Sequence, residues 1–263
     1  MKLQELINDR ILILDGAMGT MIQGYNLQEE DFWNDEIRNC VERSPLNSIQ
    51  GREPNNVQRV QMLGNNDVLS LTRPDVILDI HRRYLQAGAD IISTNTFSSQ
   101  FVSQADYHLE KMCYDIAYAG AVLARTAVEE FSKPSHPRFV AGSIGPTNKT
   151  LSMIPDVSNP AIRELTYTEL YSAYYEQIEA LVDGGVDALL IETIFDSLNA
   201  KVAIDASMEV MKKKGKTLPI MLSVTISDLA GRTLSGQTLD AFLASVSCYP
   251  IFSIGLNCSF GDL

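Results

Sequence analysis

The chain has 263 residues and carries 21 Lys+Arg against 33 Asp+Glu, a formal net charge of −12, with 45% hydrophobic residues. That balance is the one of an ordinary globular protein, and it leaves no basic field for a phosphate backbone, so a nucleic-acid partner is excluded. No apolar run approaches the roughly 20 residues of a membrane span, and the first ten residues lack a secretion signal's basic-then-apolar order, so neither a membrane partner nor export is expected and the compartment is read as cytoplasmic.

In chain order, the first strand is predicted at 11–15, a short apolar run closed by Asp15. Residues 33–63 follow as a loop excursion rich in Asn, Arg, Glu and Pro, without clear periodicity, and read as surface decoration. A helix is expected over 74–87. Val76, Ile77, Ile80, Tyr84 and Leu85 share one stripe, Pro74 sits in the first turn and Thr72 is the expected cap. Further strands are predicted at 90–94, 138–142, 187–192, 219–225 and 251–257, each mostly continuous in apolar residues, which suits strands buried on both faces of a parallel sheet. A polar excursion at 155–160 precedes a helix that begins near Thr166.

Two joints share one design, Ala87-Gly88-Ala89-Asp90 and Asp183-Gly184-Gly185-Val186-Asp187, where glycine ends a helix and the chain re-enters the sheet. Six β-α units without a GxGxxG after the first strand favour a (β/α)8 TIM-type barrel over a dinucleotide-binding sheet. Only about six units are counted, so the barrel domain spanning 1–263 is expected to be C-terminally incomplete, with strands one and six as open edges.

Chemistry in such a barrel sits at the C-terminal strand ends. The first strand delivers Asp15-Gly16-Ala17-Met18-Gly19-Thr20, an acid followed by two glycines that let backbone N–H groups approach a ligand; alternatively Asp15 merely caps a helix. The next strands end in Thr94-Asn95-Thr96, in Gly145-Pro146-Thr147-Asn148 and in Ile191-Glu192-Thr193. Glu192 follows Ala-Leu-Leu-Ile at the rim of the core, where a charge needs a reason: a substrate ammonium, an Arg partner or a cap on the next helix. The last strand ends in Gly255-Leu256-Asn257-Cys258, which puts one thiol at the rim.

The other cysteines, Cys40, Cys113 and Cys248, lie in the excursion or in helical stretches and form no CxxC pair. His81, His108 and His136 fall on helices or a Pro-flanked loop, which gives no Cys-His pair and no His-based zinc site. An unrelated barrel lyase would call for a phosphate site and a strand-end lysine, and neither is present.

Six segments, Leu14 to Thr20, Thr94 to Phe97, Gly145 to Asn148, Ile191 to Thr193, Ser235 to Thr238 and Gly255 to Cys258, occur in the order found in the homocysteine S-methyltransferase family. Within that family the chain resembles the homocysteine-binding domain of the cobalamin-dependent methionine synthases. The resemblance implies methyl transfer to the homocysteine thiol, activated as a thiolate on zinc. It makes Cys258 the first of three cysteine ligands, Asp15 and Glu192 the acids that hold the ammonium, and the stretch Gly16 to Thr20 with the Thr94 to Thr96 turn the receiver of the carboxylate. It further implies a methyl group carried by cobalamin and derived from methyltetrahydrofolate, bound by other domains or chains. Relatives that use betaine or S-methylmethionine share much of the pocket, so those donors remain the alternative, as does a non-catalytic homocysteine-binding remnant. The family's second and third zinc cysteines, an adjacent pair, have no counterpart here. The chain alone is therefore expected to bind zinc weakly or not at all and to be inactive.

Overall fold

The computed structural model describes residues 3–43, 60–153, 158–159 and 161–259. Its frame is a parallel sheet of five strands in the order β1 (Ile91–Ser93), β2 (Phe139–Ile144), β3 (Ala188–Ile194), β4 (Ile220–Val224) and β5 (Ser253–Leu256). Between the strands run α5 (Cys113–Phe131), α6 (Tyr167–Asp183), α7 (Ser197–Lys214) and α8 (Leu239–Val246). Before β1 lie α1 (Leu3–Leu6), α2 (Met18–Gln23), α3 (Asp35–Glu42) and α4 (Pro74–Ala87). Every neighbouring pair of strands is parallel, as a βα repeat requires, and the sheet is an arc of a TIM-type barrel.

The two faces of the sheet differ in kind. Ile92, Val140, Leu189, Ile191, Ile220, Leu222 and Val224 point outward and join the helices in the main core. On the inner face Ile91, Phe139, Ala141, Ala188 and Leu190 pack against Leu3 and Leu6, so α1 plugs the N-terminal end of the arc. Period-two alternation continues this inner row towards the C-terminal end as Ser93, Ser143, Glu192 and Ser223. The inner face thus changes from apolar to polar along the strands.

The helix over 74–87 forms as expected, with Pro74 in its first turn and Gly88 beyond its last in the left-handed region at φ +112°. Val76, Ile77, Ile80 and Leu85 are buried, while Tyr84 is half-buried. Thr72 is not its cap: Arg73 occupies that position with no side-chain bond, and Thr72 donates instead to the Val68 carbonyl within its own preceding turn. Thr166 caps α6 through a reciprocal box with Glu169.

Three further expectations need correction. Residues 11–15 do not form a full strand. Leu14 makes a single parallel bridge to Ile91 and the Asp15 N–H donates to the Ile91 carbonyl, while Ile11 and Ile13 remain exposed, because this segment is paired on one side only among the described residues. The last strand is not buried on both faces, since Ile254 and Leu256 are exposed at the β5 edge. The start of the 33–63 excursion is a helix, not decoration. Asn34 caps α3 and Ile37 and Val41 enter a second core with Phe32, Val76 and Ile80, each such side chain worth about 1.5–3 kcal/mol of burial. The stripe of Ile37, Cys40 and Val41 spans barely two turns, and the polar residues around it mask its period. Residues 44–59 of that excursion, and 155–157 and 160 of the second one, lie outside the described residues.

Candidate active site

The C-terminal ends of the strands bring together Asp15, Ser93, Ser143, Glu192, Thr193, Ser223, Asn257 and Cys258, from six stretches of sequence. Asp15 is held by β1: the Ser93 N–H donates to its Oδ2 at 2.8 Å and the Ser93 hydroxyl to its Oδ1 at 2.9 Å. It does not cap α2, whose N-cap is Ala17 with no side-chain bond. Tyr84 lies beneath this turn and donates to the Ala17 carbonyl at 3.2 Å; a Cβ on Gly16 would meet its hydroxyl at 3.0 Å, so any larger residue there would push the Tyr84 ring aside.

Glu192 takes neither of the other two roles open to it in the sequence. The cap of α7 is Asp196, and no arginine reaches Glu192 among the described residues. Instead the Ser143 hydroxyl donates to its Oε1 at 2.6 Å and the Asn257 amide to its Oε2 at 3.1 Å. The strand bulges here, with a register shift between Ile191 and Ile194, and Thr193 takes φ +55°, rare for a β-branched residue. The bulge ends the regular alternation, so that Thr193 joins Glu192 at the mouth.

Electrostatically the mouth is anionic and short of cations. Loss of solvent pushes the Asp15 carboxyl up to about 7, a rise opposed by its Ser93 bonds and reinforced by the Glu192 charge. Burial likewise raises Glu192, against the Ser143 hydrogen bond. Neither acid has a Lys or Arg partner among the described residues. A cation entering between them would relieve the desolvation cost of both half-buried acids at once.

Thr94, Asn95 and Thr96 form the floor behind this wall. They are nearly fully buried, and their side chains are committed within the protein. The Thr94 and Thr96 hydroxyls pair at 2.6 Å, Thr96 donates to the Ser143 carbonyl at 2.8 Å, and the Asn95 amide donates to the Asn66 carbonyl at 2.8 Å. Gly16, Ala17 and Thr20 are exposed beside the mouth, with Met18 and Gly19 half-buried at the start of α2.

Cys258 is exposed and sits in the left-handed region at φ +49°. Its Sγ lies 3.9 Å from the Thr193 hydroxyl and 3.7 Å from the Asn257 amide nitrogen. No group of three or more His, Cys, Asp or Glu among the described residues converges to hold a metal ion. A zinc site takes about three protein ligands, so Cys258 with its threonine and asparagine neighbours among the described residues does not fit zinc. Cys113 is buried, Cys40 half-buried beside the His108 carbonyl, and Cys248 exposed beyond α8.

Sequence reasoning missed Ser93, Ser143, Ser223 and Asn257 as site residues. Their signal is period two: serine recurs on the inner register of β1, β2 and β4, inside runs read as continuously apolar.

At the strand ends of this parallel βα sheet, two half-buried carboxylates without a Lys or Arg partner among the described residues share one mouth with an exposed thiol. The chain belongs to the homocysteine S-methyltransferase family, whose model matches residues 12–262. Among solved structures it is similar to the homocysteine methyltransferase MmuM from Escherichia coli. The metallated form shares 20% identity at a TM-score of 0.67, over 97% of this chain and 77% of that one. The oxidised form shares 21% at 0.68, over 97% and 76%. The apo form shares 21% at 0.61, over 96% and 74%. No helix among the described residues is long and apolar enough to cross a membrane.

Proposed function

We propose that this mouth binds homocysteine as the acceptor in an S-methyl transfer that yields methionine. The ammonium lies between Asp15 and Glu192, the carboxylate against the backbone from Gly16 to Thr20 with the Thr94 to Thr96 segment behind it, and the sulfur towards Cys258. The observation that carries this reading is the pair of half-buried carboxylates with no Lys or Arg partner among the described residues, facing one opening whose other end bears the exposed thiol.

The residues divide the work. Asp15 and Glu192 supply charge, and they gain most when the ligand's cation replaces lost water. Ser93 and Ser143 fix the two carboxylates so that little reorganisation accompanies binding. In the transfer, the substrate sulfur forms a bond to the methyl carbon while the carbon's bond to its carrier breaks, and the thiol proton leaves to solvent. For the donor we assign the cobalamin-borne methyl group that the sequence resemblance implies, derived from methyltetrahydrofolate and presented by other domains or chains.

Calorimetric titration of L-homocysteine into the chain tests the acceptor half. Asp15→Asn and Glu192→Gln should each weaken binding at least tenfold, and unchanged affinity in both would refute the assignment. Methyl transfer assayed in parallel with methylcobalamin, betaine and S-methylmethionine tests the donor, and turnover with betaine or S-methylmethionine alone would replace cobalamin.

A further inference from the structure

Resting on the reading of the mouth as a homocysteine site, we propose that Asn257 is a positioning residue that sets the spacing between the ammonium-binding carboxylate and the sulfur end, so that the site selects homocysteine over the shorter cysteine. One planar amide touches both ends. Its nitrogen lies 3.1 Å from Glu192 Oε2, 2.9 Å from the Thr193 hydroxyl and 3.7 Å from Cys258 Sγ. Two N–H groups serve three acceptors, so the amide is shared between the acid and the sulfur end.

The amide cannot turn over. Its oxygen accepts from the Thr193 N–H at 3.0 Å and from the Ser223 hydroxyl at 2.8 Å. A flip would set its NH2 group against the Thr193 N–H and strip that donor of its acceptor. The oxygen is thereby anchored to β3 and β4, and the nitrogen is aimed into the mouth. The backbone on both sides is held in the left-handed region, at Thr193 and at Cys258. Such conformations persist only where the surroundings over-determine them, and the Asn257 amide is the group common to both. One anchored amide, and not two independent side chains, thus links Glu192 to the Cys258 end of the mouth.

The test is calorimetric titration of L-homocysteine and L-cysteine, under reducing conditions, into the unaltered chain and into Asn257→Ala, Asn257→Asp and Ser223→Ala. Asp keeps the oxygen that accepts from Thr193 and Ser223 while removing the donor, and the charge it adds beside Glu192 acts on the ammonium of both ligands alike, so the ratio of the two affinities reads the spacing. The homocysteine-to-cysteine affinity ratio should fall at least tenfold in Asn257→Ala and Asn257→Asp, and Ser223→Ala should move the ratio the same way by a smaller factor. Equal loss of both ligands, or an unchanged preference, would overturn the proposal and leave Asn257 a purely structural residue. If the unaltered chain fails to bind homocysteine, or Asp15→Asn and Glu192→Gln leave its binding intact, the reading of the mouth falls and this inference with it.

Discussion

Replacing Asp90 by alanine removes the clasp that ties the first segment of the chain to the sheet. The Asp90 side chain is 2% exposed and takes both Arg10 guanidinium nitrogens at 2.7 Å, the Ile13 N–H at 2.9 Å, His136 Nε2 at 2.9 Å and Arg138 Nη1 at 3.3 Å. Arg10 and His136 are 37% and 47% exposed and regain water when the acid goes, so their share is discounted for screening. Arg138 is half-buried and keeps the Gly88 and Ala89 carbonyls. The loss is then about 1 kcal/mol for the Ile13 hydrogen bond and about 2 kcal/mol for the charged pair, roughly 3 kcal/mol together, at the low end for a broken buried ion pair. At roughly 2–4 °C per kcal/mol for a chain of this size, the melting temperature should fall by about 6–12 °C.

Its pH dependence has a definite sign. Arg10 holds the Asp90 carboxyl far below the usual carboxylate range, so its stabilisation is complete above the unfolded pKa near 4 and fades as pH falls below it. The gap between wild type and Asp90→Ala should therefore be full at pH 7 and narrow in acid. Hydrogen exchange should show the lost protection concentrated in residues 10–15, which the same acid anchors through Ile13. A melting temperature lowered by less than 2 °C, or exchange that rises elsewhere first, would refute the reasoning.

Three further outcomes follow from single groups. His81 is fully buried on α4 with neither ring nitrogen partnered, and burial pushes its pKa down to about 4. Because the unfolded chain binds the extra proton first, stability should drop by about 3 kcal/mol as pH falls from 6.5 to 4, and His81→Leu should abolish that slope in denaturant titrations. In Gly145→Ala the new Cβ would stand 2.5 Å from the Phe97 carbonyl oxygen, an atom that cannot swing away, so the variant should lose about 2–3 kcal/mol in urea unfolding. Homocysteine affinity should rise as pH passes through about 7, where Asp15 ionises, with proton release on binding below that pH, and Asp15→Asn should remove both effects in calorimetry.

The parts of the molecule legible in the sequence are those where one physical cause dominates. Pro74, the apolar stripe to Leu85 and Gly88 all favour the same helix, and the structure has it. Gly184 and Gly185 end α6 as the joint pattern predicts, with Gly185 at φ +88°. Asp15, Glu192 and Cys258 stand at one end of the sheet because strand-end position follows from strand order alone. What stayed hidden depends on pairing across the sheet. Ile11 and Leu256 are as apolar as any core residue, and only the lack of a second neighbour among the described residues leaves them exposed. The serines of the inner row look unremarkable in sequence until the register sets them opposite Asp15, Glu192 and Asn257. Asn34, the short stripe of Ile37, Cys40 and Val41 and a distant core make α3 a helix, and in two turns tertiary contact counts for more than pattern.

A crystal structure of the chain with L-homocysteine bound decides what the mouth holds. The ammonium nitrogen should lie within hydrogen-bond reach of both the Asp15 and Glu192 carboxylates, with the sulfur on the Cys258 side of the mouth. An ammonium that touches neither acid, or a ligand seated away from the C-terminal strand ends, would contradict that placement.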